Sequence, residues 1–188
     1  MNPEHYKMAQ SFAIEYGTFL GAAWLTAFAC FVFVIVSGNL FAMMAGMAVG
    51  TLALVMPFYL AWRFKQHLDV GERVSAFVAG CFAFLMFTYA SMLAGVGHLV
   101  YFTYMDNGQL LNAFHTTLFS PEAEAQYKAI GANDMLLTAR DQFDAISQLT
   151  PMQIALALFE NNIFFSLLFT LPVAFVAHRK AVKVMIPK

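Results

Sequence analysis

Residues 12 to 36 read FAIEYGTFLGAAWLTAFACFVFVIV, an apolar run whose one charged side chain is that of Glu15. A helix of about 20 apolar residues crosses the ~30 Å hydrocarbon core of a bilayer, and a run of 18 or more with few charges indicates a transmembrane helix. This segment is long enough to qualify. It predicts an integral membrane protein.

Three more apolar runs follow, and the composition agrees with this prediction. Of the 188 residues, 61% are hydrophobic and 11% are charged, whereas soluble domains have about 45–50% apolar and about 25% charged residues. The predicted spans cover residues 12–36, 40–62, 74–104 and 151–177, with a tight turn at Ser37-Gly38-Asn39 between the first two. We therefore predict an all-α chain, residues 1–188, that forms one membrane domain with four transmembrane helices.

The distribution of lysine and arginine predicts the orientation, because these residues are retained on the cytoplasmic side. With four crossings, most of them fall on one side: Lys7, Arg63, Lys65, Arg73, Arg179, Lys180, Lys183 and Lys188. The other side carries the mainly acidic loop of residues 106–150. We expect a multi-pass protein of the bacterial inner (cytoplasmic) membrane with both termini cytoplasmic and this loop extracytoplasmic.

The loop of residues 106–150 contains helix signals. Ser120 can cap a helix that begins at Pro121, with Glu122 in its first turn, and Gly131 can end it. A second segment repeats apolar residues at helical spacing: Leu136, Phe143 and Ile146. We expect an amphipathic helical cap packed on the ends of spans three and four, with helices lying on the membrane surface as the alternative.

Small residues at spacing four mark faces on which two membrane helices can approach closely. Gly17 and Gly21 form such a pair in span one, and Gly46 and Gly50 form one in span two. These four glycines are the predicted helix-packing positions.

The segment LFENNI, residues 158–163, puts three polar side chains in span four, and polar groups in a span are candidates for a functional site. Asn162, Ser166 and Thr170 share one helical face, which we expect to turn toward the bundle. Glu160 points about 200° away from Asn162. Both faces cannot turn into the same four-helix core, so one of them is expected to meet a second copy, a partner subunit, a lipid head group or water. Asn161, between Glu160 and Asn162, is a further candidate for binding or for an interface.

Span three carries a second set of candidates, because Ser91, Gly95 and His98 share a face. His98 lies at about the same predicted depth as Glu160, so neighbouring antiparallel helices could pair them. Such a pair could relay protons or bind a lipid phosphate. The alternative is a hydrogen bond that fixes the register of the two helices.

Catalytic and metal-binding signatures are missing from the sequence. It contains no glycine-rich phosphate loop, no His-Glu-x-x-His and no Gly-x-Ser-x-Gly. The five histidines are scattered over both predicted sides, so we expect no metal site and no cofactor. The few basic residues suit anionic lipid head groups better than nucleic acid, and membrane lipids are the expected small-molecule partners.

The chain resembles a family of small four-span inner-membrane proteins of unknown function that is common in Bacteroidetes. Four segments carry the resemblance: Tyr16 to Gly21, Gly71-Glu72-Arg73-Val74-Ser75 with Gly80, the acidic segment after Tyr104, and Leu149-Thr150-Pro151. Where members often have Asp-Pro, this chain has Asp106-Asn107-Gly108. The resemblance implies the architecture and no catalytic residue. It also suggests a polyprenyl-phosphate glycosyltransferase as a partner.

Three hypotheses follow for the function. The first is a non-enzymatic accessory or scaffold subunit of a membrane complex or homo-oligomer. The second is a lipid or small-solute transporter or flippase that uses the stripe of Asn162 and kinks at Pro57 and Pro172. The third, with the least support, is an intramembrane enzyme with His98 and Glu160 as acid and base, since two residues do not define a reaction class.

Overall fold

The computed structural model describes residues 3–68 and 74–179, and all the regular secondary structure among them is helical. The helices are α1 (Pro3–Ser37), α2 (Leu40–Lys65), α3 (Ala76–Val100), α4 (Gln109–Leu118), α5 (Pro121–Ala129), α6 (Asn133–Ser147) and α7 (Pro151–His178), and a π-helical turn, Tyr101–Met105, extends α3. Some residues used in the sequence analysis lie outside the described residues: Gly71, Glu72, Arg73, Lys180, Lys183 and Lys188.

Four helices are long and apolar enough to cross a membrane: Glu4–Ser37, Phe41–Lys65, Ala76–Met105 and Pro151–His178. They coincide with the four predicted runs to within a few residues, except that α1 begins earlier than predicted. The predicted all-helical chain with four candidate spans is confirmed. Length and composition of these helices indicate a membrane protein.

Side-chain caps explain where three of these helices begin. The Asn39 side chain accepts a hydrogen bond from the backbone N–H of Phe41 at 2.8 Å, and Ser75 accepts one from Val78 at 3.3 Å. Thr150 begins α7 with a capping box that it shares with Gln153. Such caps satisfy N–H groups that the first helical turn leaves without partners.

Helix α3 is the centre of the bundle, because its most extensive contacts are with α1 and α7, and α2 packs on α1 and less extensively on α7. The main core lies at the end where α2 ends and α3 begins, which we call the closed end. There the Phe64 and Phe82 rings stack at 4.2 Å, with Leu20 and Val173 buried in the same cluster. The opposite end, where α2 begins and α3 ends, is the open end.

The closed end also joins the bundle's last helix to the start of α3. The His178 Nδ1 atom lies 2.7 Å from the Val74 carbonyl oxygen, so the end of α7 is held beside the residues that precede α3. The end of α7 and the start of α3 are therefore level with each other at the closed end.

Three short helices fill the segment between α3 and α7. The predicted start at Ser120 is correct, because its hydroxyl accepts a hydrogen bond from Ala123 N at 3.1 Å. The sequence analysis missed α4, which packs on α1 through Phe31 and Phe114, with ring centroids 6.1 Å apart. The contact with α1 was not predicted. The most extensive contact of the helical loop with a span is therefore with the first span, and not with the third or fourth as expected.

Arg140 of α6 connects the three short helices. Its Nε donates a hydrogen bond to the Leu118 carbonyl at 3.2 Å, and its guanidinium lies 5.0 Å from the centre of the Phe119 ring. A longer ion pair of 3.8 Å reaches Glu124 of α5. One side chain thus contacts the C-terminal end of α4 and the body of α5.

Candidate functional site

The polar stripe of α7, formed by Asn162, Ser166 and Thr170, faces the bundle. Ser166 is buried, and Asn162 and Thr170 are partly buried. The Ser166 hydroxyl donates to the Asn162 carbonyl at 2.6 Å, and the Thr170 hydroxyl donates to the Ser166 carbonyl at 2.7 Å. Serine and threonine often satisfy their hydroxyl groups within a helix in this way. Both hydroxyl groups can therefore lie in an apolar bundle.

Ser91 of α3 meets this stripe. Its hydroxyl oxygen lies 3.4 Å from that of Ser166, and both side chains are buried. The sequence analysis placed these residues on two separate candidate faces, and the structure brings the two faces together. The contact is a polar link between α3 and α7 near the middle of the bundle.

Glu160 and Asn161 lie on the other side of α7, and both are exposed. The same outward face carries Phe164, Leu168 and Leu171, which are also exposed. We call these five residues the α7 outward face. Two adjacent polar side chains thus stand beside apolar side chains on the surface of a candidate membrane span.

His98 does not pair with Glu160, because no hydrogen bond or ion pair joins them among the described residues. The two lie at similar depth, since Gly95 packs against Phe159, the residue before Glu160. The His98 ring instead packs edge-on against Phe28 of α1 at 4.4 Å. The neighbour of His98 is therefore α1, and not α7 as the sequence analysis considered.

The buried His98 side chain retains one polar atom without a partner. Its exposed fraction is 6%, and Nδ1 has no hydrogen-bond partner in the part of the chain that the structure describes. The surroundings of His98 are aromatic, because its ring packs on Phe28 and Phe28 in turn contacts Tyr101 and Phe102. This arrangement packs α3 against α1.

Of the four predicted packing glycines, two lie directly against α3. A Cβ at Gly17 would come within 2.7 Å of the Met86 carbonyl oxygen, and one at Gly21 within 3.0 Å of the Ala90 carbonyl oxygen. Gly46 lies near the Val34 side chain, whereas a Cβ at Gly50 would meet no described atom within 4 Å. The backbones of α1 and α3 therefore approach closely at Gly17 and Gly21, whereas no other described helix lies close to Gly50.

Asp106 is a buried residue that the sequence analysis did not select. Its carboxylate accepts hydrogen bonds from the Tyr101 hydroxyl at 2.7 Å, from Gly108 N at 3.1 Å and from Leu110 N at 3.0 Å. Asn107 and Gly108 both have positive φ, 44° and 79°, as Asn-Gly turns often do. The Asp-Asn-Gly sequence was the available signal for this turn and for the start of α4.

Side chains that could hold a metal are dispersed. Within residues 3–68 and 74–179, no three His, Cys, Asp or Glu side chains form a group that could bind a metal ion. Cys30 and Cys81 are free thiols.

Comparisons with known proteins give one match, to a family. No curated protein and no solved structure matches the chain. The sequence profile of the family described as "Protein of unknown function (DUF4199)" matches residues 15 to 179, which include all four candidate spans except the first turns of α1. The chain therefore belongs to the DUF4199 family, whose function is unknown.

Proposed function

We propose that this chain is a non-enzymatic accessory or scaffold subunit of a homo-oligomer or complex in the bacterial inner membrane. The observation that carries the proposal is the exposure of Glu160 and Asn161 on the α7 outward face. A partner helix on this face would supply hydrogen bonds to both side chains. The partner is a second copy or another membrane protein, and the family resemblance adds polyprenyl-phosphate glycosyltransferases as candidates.

The depth of Glu160 is compatible with insertion of α7 and leaves this side chain available to a partner at the edge of the hydrocarbon core. Glu160 is about 27 Å from His178 along α7 at 1.5 Å per residue, and the core is about 30 Å thick. At this depth the carboxylate costs less than the roughly 2.5–3.5 kcal/mol of a charge at the centre. Glu160 can therefore form hydrogen bonds with a neighbouring helix, and its charge does not prevent insertion of α7.

Transport has less support than the accessory role. The hydroxyl groups of Ser166 and Thr170 donate to backbone carbonyls of their own helix, so they are poorly placed to exchange hydrogen bonds with a moving solute. Pro57 and Pro172 lie inside α2 and α7, and proline is frequent in membrane helices generally, so these residues do not favour transport over the accessory role. Transport by vesicles that contain only the pure protein would favour this second hypothesis.

An enzymatic role has the least support. His98 packs on Phe28, and Glu160 is exposed on the other side of α7. An acid and a base that act on one substrate must both reach it. The separation of these side chains argues against a shared reaction centre.

Native mass spectrometry of the protein extracted gently from its own membrane tests the accessory role. We expect a complex of fixed stoichiometry, and Glu160→Gln should weaken it about 5- to 30-fold, the equivalent of the 1–2 kcal/mol of a polar contact between membrane helices. The matched control is Glu122→Gln, an exposed carboxylate in α5, which should leave the complex intact. A wild-type monomer would contradict the proposal, and a monomer that carries one defined lipid would favour transport.

The proposed orientation has both termini in the cytoplasm and the helical loop outside. It can be tested with a membrane-impermeant thiol reagent after Cys30 and Cys81 are replaced by alanine. Lys128→Cys in α5 should react in intact cells, whereas Lys65→Cys at the end of α2 should react only after the membrane is opened. The reverse pattern would contradict this orientation.

A further inference from the structure

A groove of about 610 Å3 runs along the surface between α1 and α2. Ala23 and Thr26 line it on α1, and Val49, Ala53, Met56 and Tyr59 line it on α2. Only the hydroxyl groups of Thr26 and Tyr59 are polar, and that of Thr26 donates to the Ala22 carbonyl of its own helix at 2.9 Å. The groove therefore offers an apolar surface, with alanines at two positions where larger side chains would fill it.

The groove has the length of one membrane leaflet. From Val49 to Tyr59, α2 rises about 15 Å at 1.5 Å per residue. This distance is half of the ~30 Å hydrocarbon core. It begins near the middle of both predicted spans and ends one turn before the basic end of α2. An acyl chain that follows it would lie in the leaflet at the closed end.

Side chains of the types that bind phospholipid head groups lie at the end of the groove. Arg63 follows Met56 and Tyr59 at spacings of seven and four, so it lies on the same face of α2, and it is exposed. The Tyr59 and Trp62 rings lie 5.8 Å apart, and such amphipathic rings favour the membrane interface. A positive charge and two interfacial rings thus stand where the apolar groove ends.

Arg63 lies beside the neighbouring helix. Its guanidinium interacts electrostatically with the hydroxyl group of Tyr16, a buried residue of α1. A guanidinium has five N–H donors, so several remain for a ligand. Its planar geometry favours two parallel hydrogen bonds to a phosphate.

We infer that the α1–α2 groove binds one acyl chain of an anionic glycerophospholipid, and that Arg63 binds the phosphate of this lipid. The lipid belongs to the leaflet at the closed end. Charge complementarity at Arg63 selects an anionic head group over a zwitterionic one, whose own cation offsets the attraction. This site lies on α1 and α2, so it does not depend on the accessory role proposed for α7 and goes beyond it.

Lipid titration of the detergent-solubilised full chain tests the site, with native mass spectrometry to count bound lipids. The probes are phosphatidylglycerol and phosphatidylcholine with identical acyl chains. Wild-type protein should bind phosphatidylglycerol about fivefold more tightly, the effect of one basic residue near an anionic surface. Equal affinity for the two lipids would overturn the inference.

Two variants separate the head-group contact from the acyl-chain contact. Arg63→Gln should remove the preference for phosphatidylglycerol, whereas Lys65→Gln, in the same turn, should keep it. Thr26→Phe should weaken the binding of both lipids because it fills the groove, and its control, Thr51→Phe, places the same ring at an exposed position of α2 that does not line the groove.

The outcomes remain distinct if one variant fails to fold. Thr26 is exposed, so Thr26→Phe tests the groove even where Arg63→Gln does not yield monodisperse protein. Binding by Thr26→Phe that equals binding by Thr51→Phe would overturn the site.

Discussion

The closed and open ends of the bundle differ in what their side chains contact. At the closed end, the stacked Phe64 and Phe82 rings are fully buried by neighbouring helices. At the open end, Phe41 is 80% exposed, and Met44 and Leu156 are exposed as well. The chain therefore has its largest cluster of buried apolar side chains at one end, and neighbouring helices bury fewer of the apolar side chains at the other end.

This difference has a physical cause in the membrane. Lipid tails are as apolar as leucine, so helices associate through close packing and hydrogen bonds rather than through the hydrophobic effect. The closed end has the residues for such packing, with small side chains such as Ala13, Ala79 and Ala177 at 0% exposure. Exposed phenylalanine and methionine at the open end remain stable against lipid.

The largest expected effect is at the closed end. Phe82→Ala removes a fully buried ring and leaves a cavity, and we expect the free energy of unfolding to fall by about 3–5 kcal/mol. The matched substitution at the open end is Phe41→Ala, which should change the free energy of unfolding by less than about 1 kcal/mol because neighbouring helices leave this ring 80% exposed. Denaturation in mixed micelles measures both. Equal losses would contradict the difference between the two ends.

A smaller change in the free energy of unfolding is expected from two glycine substitutions, one at a tight helix contact and one at an open position. Gly17→Ala would place a methyl group 2.7 Å from the Met86 carbonyl oxygen, and such overpacking costs about 1–3 kcal/mol. Gly50→Ala meets no described atom within 4 Å, so it should be neutral or should stabilise α2 by up to about 1 kcal/mol. The same unfolding assay measures both variants. A loss at Gly50 as large as that at Gly17 would mean that another surface covers Gly50.

The smallest expected effect concerns the polar link between α3 and α7, which lies midway between the closed and open ends. A double-mutant cycle with Ser91→Ala and Ser166→Ala should give a coupling free energy of about 0.6 kcal/mol, the average for hydrogen bonds between membrane helices. Thr88→Ala is the control, because that hydroxyl donates to the Phe84 carbonyl of its own helix. A coupling near zero would show that the 3.4 Å contact contributes no stability.

Hydropathy alone was sufficient to predict the four spans, because span length depends only on the thickness of the bilayer. The start of α5 was predictable from Ser120 and Pro121, because a capping hydroxyl and a proline at the first helical position act within one turn. Helical spacing also gave the stripe of Asn162, Ser166 and Thr170. These features depend on residues close together in the chain.

Contacts between helices were not predictable in the same way. Spacing assigns Ser91 and Ser166 to faces of their helices, but it does not say which neighbouring helix each face meets. His98 illustrates this limit, because its ring meets Phe28 of α1 and not Glu160 of α7. Helix α4 was missed because its start depends on the left-handed turn at Asn107 and Gly108.

The most direct test of the accessory role is photo-crosslinking in the native membrane from position 164 on the α7 outward face. A photoreactive residue in place of Phe164 should give one discrete crosslinked protein, whereas the same residue in place of Phe84, an exposed position of α3, should give none. Identification of the product by mass spectrometry would distinguish a second copy from a different subunit. Crosslinks to lipid alone from Phe164 would contradict the account.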